Sequence, residues 1–232
     1  ARFYRQLVEM TRIGDDEELP VIRSAPINHR QTDNLRTHSE ELKELPVIRS
    51  TTISHRQTYD LRTHCEKLKK LSADFQSLVD FLNQMHDACP STPFLTGPRA
   101  SSIHAGPLPV YEDSTNHERS KYTKEGIRQN MARFQECHKQ VQVYMLEHDD
   151  TTVAMEVPLW LEFDQAGVFQ SIMSPGECLS GHVDVISIEN NKIWIWDYKP
   201  NALKERWAHV QLSIYALMLS HRTQIPLDRI RC

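Results

Sequence analysis

The chain has 232 residues, of which 39% are hydrophobic and 25% charged, and no apolar run approaches the roughly 20 residues of a membrane-spanning helix. This composition excludes a transmembrane protein. The formal net charge of −4 does not indicate a nucleic-acid binder, so any such contact must come from a local basic patch.

The number and spacing of the cysteines and the first residues of the chain indicate the cellular compartment. The five cysteines form no CxxC pair, and the chain does not open with a basic and then apolar signal segment. We therefore expect an intracellular, cytoplasmic protein without a disulfide framework, associated with the nucleoid if the source is prokaryotic.

A tandem repeat occupies the N-terminal part of the sequence. Residues 19–44 and 45–70 are identical at 18 of 26 positions, and each copy opens with the letters LPVIRS. The serine of that opening can cap a following helix. We interpret the repeat as a duplicated helical unit within a helical region over residues 1–88.

The second copy leads into an apolar stripe. Hydrophobic residues recur there at spacings of three and four, which predicts one long amphipathic helix whose stripe needs a partner surface. The partner could be another protein, such as a helicase, or a second copy of this chain. The stripe comprises Leu61, Cys65, Leu68, Leu71, Phe75, Leu78, Leu82 and Met85.

A break in periodicity separates this region from the rest. Residues 89–119 are rich in Pro, Gly, Ser and Thr and predict a linker or an ordered loop. Over 123–147 a helical pattern resumes, and one member of its inward stripe, His138, stands where an apolar residue would be expected. The stripe is Ile127, Met131, Phe134, His138, Val141 and Met145.

The last part of the chain alternates with period two. Residues 152–162, 181–189 and 192–198 are rich in Val, Ile and Trp and predict strands. Asn190 and Asn191 between the last two predict a tight turn and an antiparallel hairpin. A final helix is predicted over 203–221.

Two carboxylates on this hairpin predict a metal site. Asp184 and Asp197 can come side by side on adjacent strands, and paired carboxylates at strand ends are what a hard divalent cation needs. Lys199 follows Asp197 by two residues and so lies on the same face. Its ammonium group can orient a metal-bound water and offset charge on a pentavalent phosphate.

The following helix adds two polar residues to this set. Gln211 and Tyr215 are spaced i and i+4, so they share one face and can reach the same site.

In combination, these residues resemble the PD-(D/E)XK nuclease superfamily and, within it, the RecB-like branch. The resemblance rests on GHVD ending at Asp184, WIWDYK ending at Lys199, and QLSIY from Gln211 to Tyr215. It implies an α/β fold, a restriction-endonuclease-like core with a central mixed sheet flanked by helices, over residues 120–232. We expect this core to lack its C-terminal end, and the helical extension with its tandem repeat to precede it.

The resemblance also implies roles for single residues. Asp184 and Asp197 would be metal ligands, Tyr198 would offer its backbone carbonyl, and Lys199 would be catalytic, with Gln211 and Tyr215 in an accessory catalytic motif. The branch carries a further histidine ligand on the helix before the sheet, for which His138 is the candidate. An inward histidine taken alone is more often a core residue, and the surrounding motif reverses that preference.

Glu156, on the strand entering the core, stands where the superfamily often has a glutamate. It could be a metal ligand, a group that supports a ligand, or a charge at the strand edge.

The function implied is a metal-dependent deoxyribonuclease that uses Mg²⁺ or Mn²⁺ to hydrolyse phosphodiester bonds, in DNA repair, recombination or defence. Single-stranded DNA or DNA with free ends is the favoured substrate. Some members hold an iron–sulfur cluster through one upstream and three downstream cysteines. Cys89, Cys137, Cys178 and Cys232 do not follow that pattern, so no cluster is expected from these residues, and cysteines beyond Cys232 could change this.

One alternative comes from a different functional class. The chain could be a non-catalytic DNA-binding or assembly subunit that keeps the fold and docks a partner through the repeat. Cleavage that disappears in Lys199→Ala would distinguish the two.

Overall fold

A computed structural model describes residues 47–104, 119–200 and 206–232, and one six-stranded sheet organises them. Neighbouring strands are antiparallel except for the parallel pair β5 and β6, so the sheet is mixed. Together with its flanking helices, the sheet is consistent with a restriction-endonuclease-like core. In order across the sheet, the strands are β1 (Ile48–His55), β2 (Gln57–His64), β3 (Thr152–Glu162), β4 (Cys178–Glu189), β5 (Lys192–Trp196) and β6 (Ile230–Arg231).

Helices cover both faces of this sheet. Ile186 and Ile195 belong to the largest hydrophobic cluster with α2 and α5, whereas the adjacent Val185 and Trp196 pack against α4. Since neighbouring strand residues point to opposite faces, α4 and α5 lie on opposite sides there. In the described part of the chain, no helix has the length and apolar character to cross a membrane. The helices are α1 (Cys65–Lys69), α2 (Gln76–Ala88), α3 (Arg119–Asn130), α4 (Cys137–His148) and α5 (Ala208–Thr223).

Residues 48–64 of the second repeat copy form a β-hairpin, so the prediction of a helical unit is wrong for this segment. Strands β1 and β2 pair along their whole length around Arg56, whose φ of 52° forms the turn. The threonines and isoleucines of this segment favour extended backbone, because β-branched side chains pack well on a pleated surface. The first copy, residues 19–44, lies outside the described residues.

The predicted helix through Leu61 and Met85 is likewise interrupted. Leu61 lies on β2, and helical structure is confined to α1 and α2, with a short 3₁₀ turn before α2. The apolar stripe is nevertheless buried, because Leu68, Phe75 and Leu78 join the core formed with the sheet. This burial within the chain removes the observation on which the oligomer hypothesis rested.

The helix predicted over 123–147 is two helices that fold against each other. The chain leaves helical structure after Asn130, whose buried side chain donates to the Gln140 carbonyl oxygen at 2.9 Å. Gly126 faces the second helix, and a Cβ there would lie 3.1 Å from the Val141 Cα. The close approach of α3 and α4 therefore explains the break, and Met131 at the break is exposed.

The predicted strands and hairpin are confirmed. Strand β3 has the predicted bounds, and β4 and β5 form the antiparallel hairpin with Asn190 and Asn191 at φ values of 49° and 58°. Strand β4 begins three residues earlier than predicted, at Cys178, and β5 ends two residues earlier, at Trp196. The last helix begins at Ala208 rather than 203, and residues 206 and 207 are not helical.

The described part of the 89–119 segment is an ordered loop on the core. Phe94 and Ile103 are buried, and the Ser180 N–H of β4 donates to the Pro98 carbonyl oxygen at 3.1 Å. A Cβ at Gly97, which has φ of +79°, would lie 2.3 Å from the Cys178 carbonyl oxygen. Close backbone packing and left-handed conformation therefore both require glycine at this point.

Candidate active site

A cavity of about 1000 Å³ opens beside the β4–β5 hairpin. Residues from the N-terminal hairpin, the 89–104 loop, α4, β3, β4 and α5 line it. All predicted site residues except Tyr198 are in the lining, namely His138, Glu156, Asp184, Asp197, Lys199, Gln211 and Tyr215.

Asp184 and Asp197 face each other across the hairpin. Val185 pairs with Trp196, so the antiparallel register places Asp184 directly opposite Asp197, just past the last pair. The Tyr198 backbone N–H donates to Asp184 Oδ2 at 2.7 Å. Burial, together with the charges of Asp197 and Glu156, raises the pKa of Asp184 well above its usual range. Two acidic groups are thus held together in a poorly solvated place.

Lys199 and Gln211 contact the second carboxylate. Lys199 Nζ lies 2.7 Å from Asp197 Oδ2, and Gln211 Nε2 donates to Asp197 Oδ1 at 3.0 Å. The Asp197 side chain is 3% exposed and that of Lys199 is 19% exposed. The ammonium group therefore reaches the cavity while it contacts the carboxylate, although both residues lie just beyond the end of β5.

Tyr215 supports this arrangement from helix α5. Gln211 Nε2 also donates to the Tyr215 hydroxyl oxygen at 3.0 Å, and burial raises the pKa of Tyr215, which stays a neutral phenol. A Cβ at Gly181 would lie 2.5 Å from Tyr215 Cε1. The glycine of the GHVD motif thus allows the tyrosine ring to approach the sheet.

Glu156 occupies a distortion in strand β3. Its φ is 54°, and the regular alternation of faces breaks around it. Ala154 and Val157 belong to the largest core cluster, whereas Met155 packs with α4. A residue other than glycine at positive φ costs about 1–3 kcal/mol and is a feature of functional sites.

The carboxylate at this distortion is buried and held by an amide. Gln142 Nε2 donates to Glu156 Oε1 at 2.6 Å, and burial raises the pKa of Glu156 despite this bond. The negative charge of Glu156 also raises the pKa of Asp184, so the two carboxylates interact across β3 and β4.

His138 approaches from the first turn of α4. Its ring meets the Tyr198 ring edge-on at a centroid distance of 5.1 Å and hydrogen-bonds the Tyr198 backbone. Burial, and then the Lys199 cation, lower the pKa of His138. A neutral imidazole can ligate a metal ion. The Tyr198 side chain is buried on the α4 side instead of lining the cavity.

The donor set fits a hard divalent cation. The candidate ligands in the lining are the carboxylates of Glu156, Asp184 and Asp197 and the imidazole of His138, and oxygen-rich ligands of this kind suit Mg²⁺ or Mn²⁺. Among the described residues, no group of three or more His, Cys, Asp or Glu side chains is arranged to hold a metal ion as it stands. N–H groups of Lys199, Gln211 and Gln142 engage the carboxylate oxygens, so a bound cation would replace some of these contacts.

Comparison with protein families agrees with this geometry. The model of the PD-(D/E)XK nuclease superfamily matches residues 108–230, which is more than half of the chain. The chain belongs to the PD-(D/E)XK nuclease superfamily. Members of this superfamily are usually metal-dependent nucleases. Neither the curated proteins nor the solved structures contain a significant match to the chain.

Sequence patterns did not indicate every residue of the cavity. Tyr59, Arg99, Gln142 and His182 also line it, and of these only His182 lies within the motif, where it was not assigned a role. The only sequence signal is at Tyr59, where the first repeat copy has Asp33 instead. The others come from segments whose proximity depends on how the hairpin and the loop fold onto the sheet.

Proposed function

We propose that this protein hydrolyses phosphodiester bonds in DNA with Mg²⁺ or Mn²⁺ as cofactor, as a nuclease of the RecB-like branch. The observation that carries the proposal is the pairing of Asp184 with Asp197 across the hairpin, with Lys199 Nζ 2.7 Å from Asp197 Oδ2. All three side chains line a cavity of about 1000 Å³. Paired acids and a lysine in one cavity suit phosphoryl chemistry better than a purely structural role.

Asp184 and Asp197 would hold the cation, with His138, Glu156 and the Tyr198 carbonyl as further ligands. When bound, such an ion lowers the pKa of a water molecule and neutralises charge on the phosphate. The raised pKa of Asp184 supports this assignment, because a buried carboxylate beside two others is unfavourable without a nearby positive charge.

Lys199 would act on the phosphate and the attacking water. Its Nζ is fixed by Asp197 and partly exposed to the cavity, so it presents N–H donors where negative charge develops. A preorganised cation of this kind stabilises a pentavalent phosphate without reorganising during the reaction.

Gln211 and Tyr215 would be positioning residues. Gln211 holds Asp197 Oδ1 and is itself fixed by the Tyr215 hydroxyl oxygen, while Gly181 allows the ring to reach this place. The orientation of the Asp197 carboxylate therefore depends on helix α5. This dependence explains physically why Gln211 and Tyr215 accompany the metal-binding residues in the motif.

The first test is a cleavage assay with end-labelled single-stranded, double-stranded and circular DNA, in Mg²⁺, Mn²⁺ or EDTA. We expect cutting that requires the metal and falls by about 100-fold or more in Lys199→Ala. Lys192→Ala is the matched control, because Lys192 lies on the same hairpin outside the cavity. Linear DNA cut in preference to circular DNA would support action at free ends.

The same assay separates this proposal from the assembly-subunit alternative. If wild type binds DNA but cuts none of the substrates in either metal, the nuclease proposal is wrong. Cutting that persists unchanged in Lys199→Ala would also contradict the assigned site.

A further inference from the structure

One wall of the cavity contains none of the proposed metal ligands. It consists of Tyr59 from β2, Arg99 from the 89–104 loop and His182 from β4. The Tyr59 ring stacks on the His182 imidazole with a centroid distance of 3.5 Å and an interplanar angle of 8°. Arg99 Nη2 donates to the Tyr59 hydroxyl oxygen at 2.6 Å. We call these three residues the arginine wall.

Arg99 differs from the other cations that line the cavity. Lys139 forms an ion pair with Asp60, Arg133 with Glu147 and Lys199 with Asp197. Arg99 forms no ion pair with any residue that the structure describes, and its hydrogen bond from Nη2 goes to the Tyr59 hydroxyl oxygen. No carboxylate of the described residues therefore offsets its charge, and further N–H donors remain for a ligand in the cavity.

The arginine is held in place by its surroundings. Its backbone bridges to Ser180 of β4, along the half of that strand which β5 does not cover. Arg56, at the tip of the N-terminal hairpin, donates to the carbonyl oxygens of Leu95 and Gly97 and so fastens the loop. A charged group fixed by a docked loop loses little conformational entropy when it binds a ligand.

The supporting residues are themselves buried. The His182 side chain is 7% exposed, and its Nε2 lies 3.0 Å from His55 Nδ1. The His55 ring in turn stacks on Phe94 at 3.7 Å. Because His182 stacks on Tyr59 and the Tyr59 hydroxyl accepts from Arg99, Tyr59 holds the arginine in place.

The wall lies close to the proposed point of cleavage. His182 and Asp184 are two residues apart on β4, which corresponds to about 7 Å along a strand. A nucleic-acid strand carries one phosphate for about every 3.4 Å of helix axis. His182 therefore lies one or two nucleotide steps from Asp184, and Arg99 is tied to His182 through Tyr59.

We propose that Arg99 binds a backbone phosphate of the substrate strand one or two nucleotides from the cleaved bond, with Tyr59 as its positioning residue. This inference rests on the proposed nuclease function, because a cleaved bond exists only if the protein is a nuclease. The ligand is a phosphodiester group, which a guanidinium fork recognises through its charge and paired N–H donors. Only the second repeat copy carries the supporting tyrosine.

Binding can be measured without cleavage. A fluorescent single-stranded oligonucleotide is titrated with protein in EDTA and in Ca²⁺ at several salt concentrations. In Arg99→Gln we expect affinity to fall about tenfold, and the slope of log K against log[salt] to shrink by about 0.7, the loss of one phosphate contact. Arg49→Gln is the matched control, because it removes the same charge from a surface ion pair outside the cavity.

Two further variants separate binding from folding. Arg99→Lys keeps the charge and should keep the salt slope, with affinity within about threefold of wild type. Tyr59→Phe keeps the stacked ring and removes only the hydroxyl, so it should weaken binding less than Arg99→Gln. A loss of salt slope in Arg99→Lys as large as in Arg99→Gln would indicate a structural effect and overturn the inference.

A modified substrate locates the contact. Single phosphates are replaced in turn by uncharged methylphosphonates, and binding is measured for wild type and Arg99→Gln. One replacement, one or two nucleotides from the cleaved bond, should weaken binding to wild type and leave Arg99→Gln unaffected, as a double-mutant cycle requires. Equal sensitivity of both proteins at every position, or an unchanged affinity in Arg99→Gln, would overturn the proposal.

The two proposals fail in different ways. Metal-dependent cleavage by wild type together with an unchanged affinity in Arg99→Gln would refute the arginine contact alone. Absence of cleavage would refute the nuclease proposal, while the binding data in EDTA would still decide whether Arg99 contacts a phosphate. If wild type binds no nucleic acid at all, the arginine contact is refuted as well.

Discussion

Two buried acidic clusters in this protein are neutralised in different ways. Around Arg119, Asp149 Oδ2 and Glu189 Oε1 lie 2.7 and 2.6 Å from the guanidinium group, which also packs 4.6 Å from the centre of the Trp196 ring. Around Asp184, three carboxylates share the Lys199 ammonium group and several amide N–H groups.

The difference separates a structural ion pair from the proposed metal site. The Arg119 cluster is closed, because the 2%-exposed cation fills the space between its acids. The Asp184 cluster lines an open cavity, and its negative charge raises the pKa of Asp184. Uncompensated acidic charge in a cavity is what a divalent cation or a proton can bind, whereas a closed ion pair cannot accept either.

The largest expected effect is on the closed cluster. Arg119→Met should lower the free energy of unfolding by about 3–5 kcal/mol, because it leaves Asp149 and Glu189 buried without their cation. Urea unfolding measures it. Arg128→Met, which breaks only the exposed pair with Glu125, should cost at most about 0.5 kcal/mol. Similar losses in the two variants would show that the Arg119 cluster is not specially stabilising.

The open cluster should respond in activity rather than stability. Asp184→Asn should lower metal-dependent cleavage by about 100-fold or more, because an amide binds a hard cation much more weakly than a carboxylate. Mg²⁺ should raise the melting temperature of wild type and not that of the variant. Retained activity together with retained stabilisation by Mg²⁺ would exclude Asp184 as a ligand.

Gly181→Ala tests the packing that supports the open cluster. The new methyl group would meet the Tyr215 ring at 2.5 Å and displace it from Gln211. We expect a loss of about 1–3 kcal/mol in stability, with reduced cleavage. In a Tyr215→Ala background the same substitution should cost less, and an equal cost in both backgrounds would show that the contact is unimportant.

The smallest expected effect is the dependence of stability on pH. Its sign is opposite to that of a carboxylate whose pKa is lowered by folding. Because folding raises the pKa of Asp184, the metal-free protein should lose stability as pH rises from about 4, the ordinary pKa of Asp, through the folded pKa. Unfolding in EDTA across this range, compared with Asp184→Asn, isolates the contribution. A variant that shows the same pH slope as wild type would assign that slope to other groups.

The sequence predicted the candidate site residues that lie on the β4–β5 hairpin and on the helix that follows it. Asp184, Asp197 and Lys199 belong to one hairpin whose register follows from the Asn190–Asn191 turn, and Gln211 and Tyr215 share one helix face. Such relations are local, because the strand and helix periods determine them. The bounds of β3 and the family resemblance follow from the same short-range patterns.

Other features depended on tertiary contacts. The apolar spacing around Leu61 and Cys65 suits a helix, but Leu61 lies on β2, between β1 and β3, where it is fully buried, and helical structure begins only at Cys65. The helix predicted over 123–147 breaks because α3 and α4 can then pack closely at Gly126. Glu156 takes a positive φ only because the strands around it hold it in place.

By itself, the sequence determined the family, the β4–β5 hairpin and the acidic and basic residues on it, because local periodicity and turn chemistry are sufficient for these. Only the tertiary structure brought His138, Glu156 and the arginine wall to the same cavity. Tyr59, Arg99 and His182 are separated by 40 residues or more along the chain, and the energy that joins them comes from burial and ring stacking. Contacts between residues so far apart along the chain produce no periodic pattern in a single sequence.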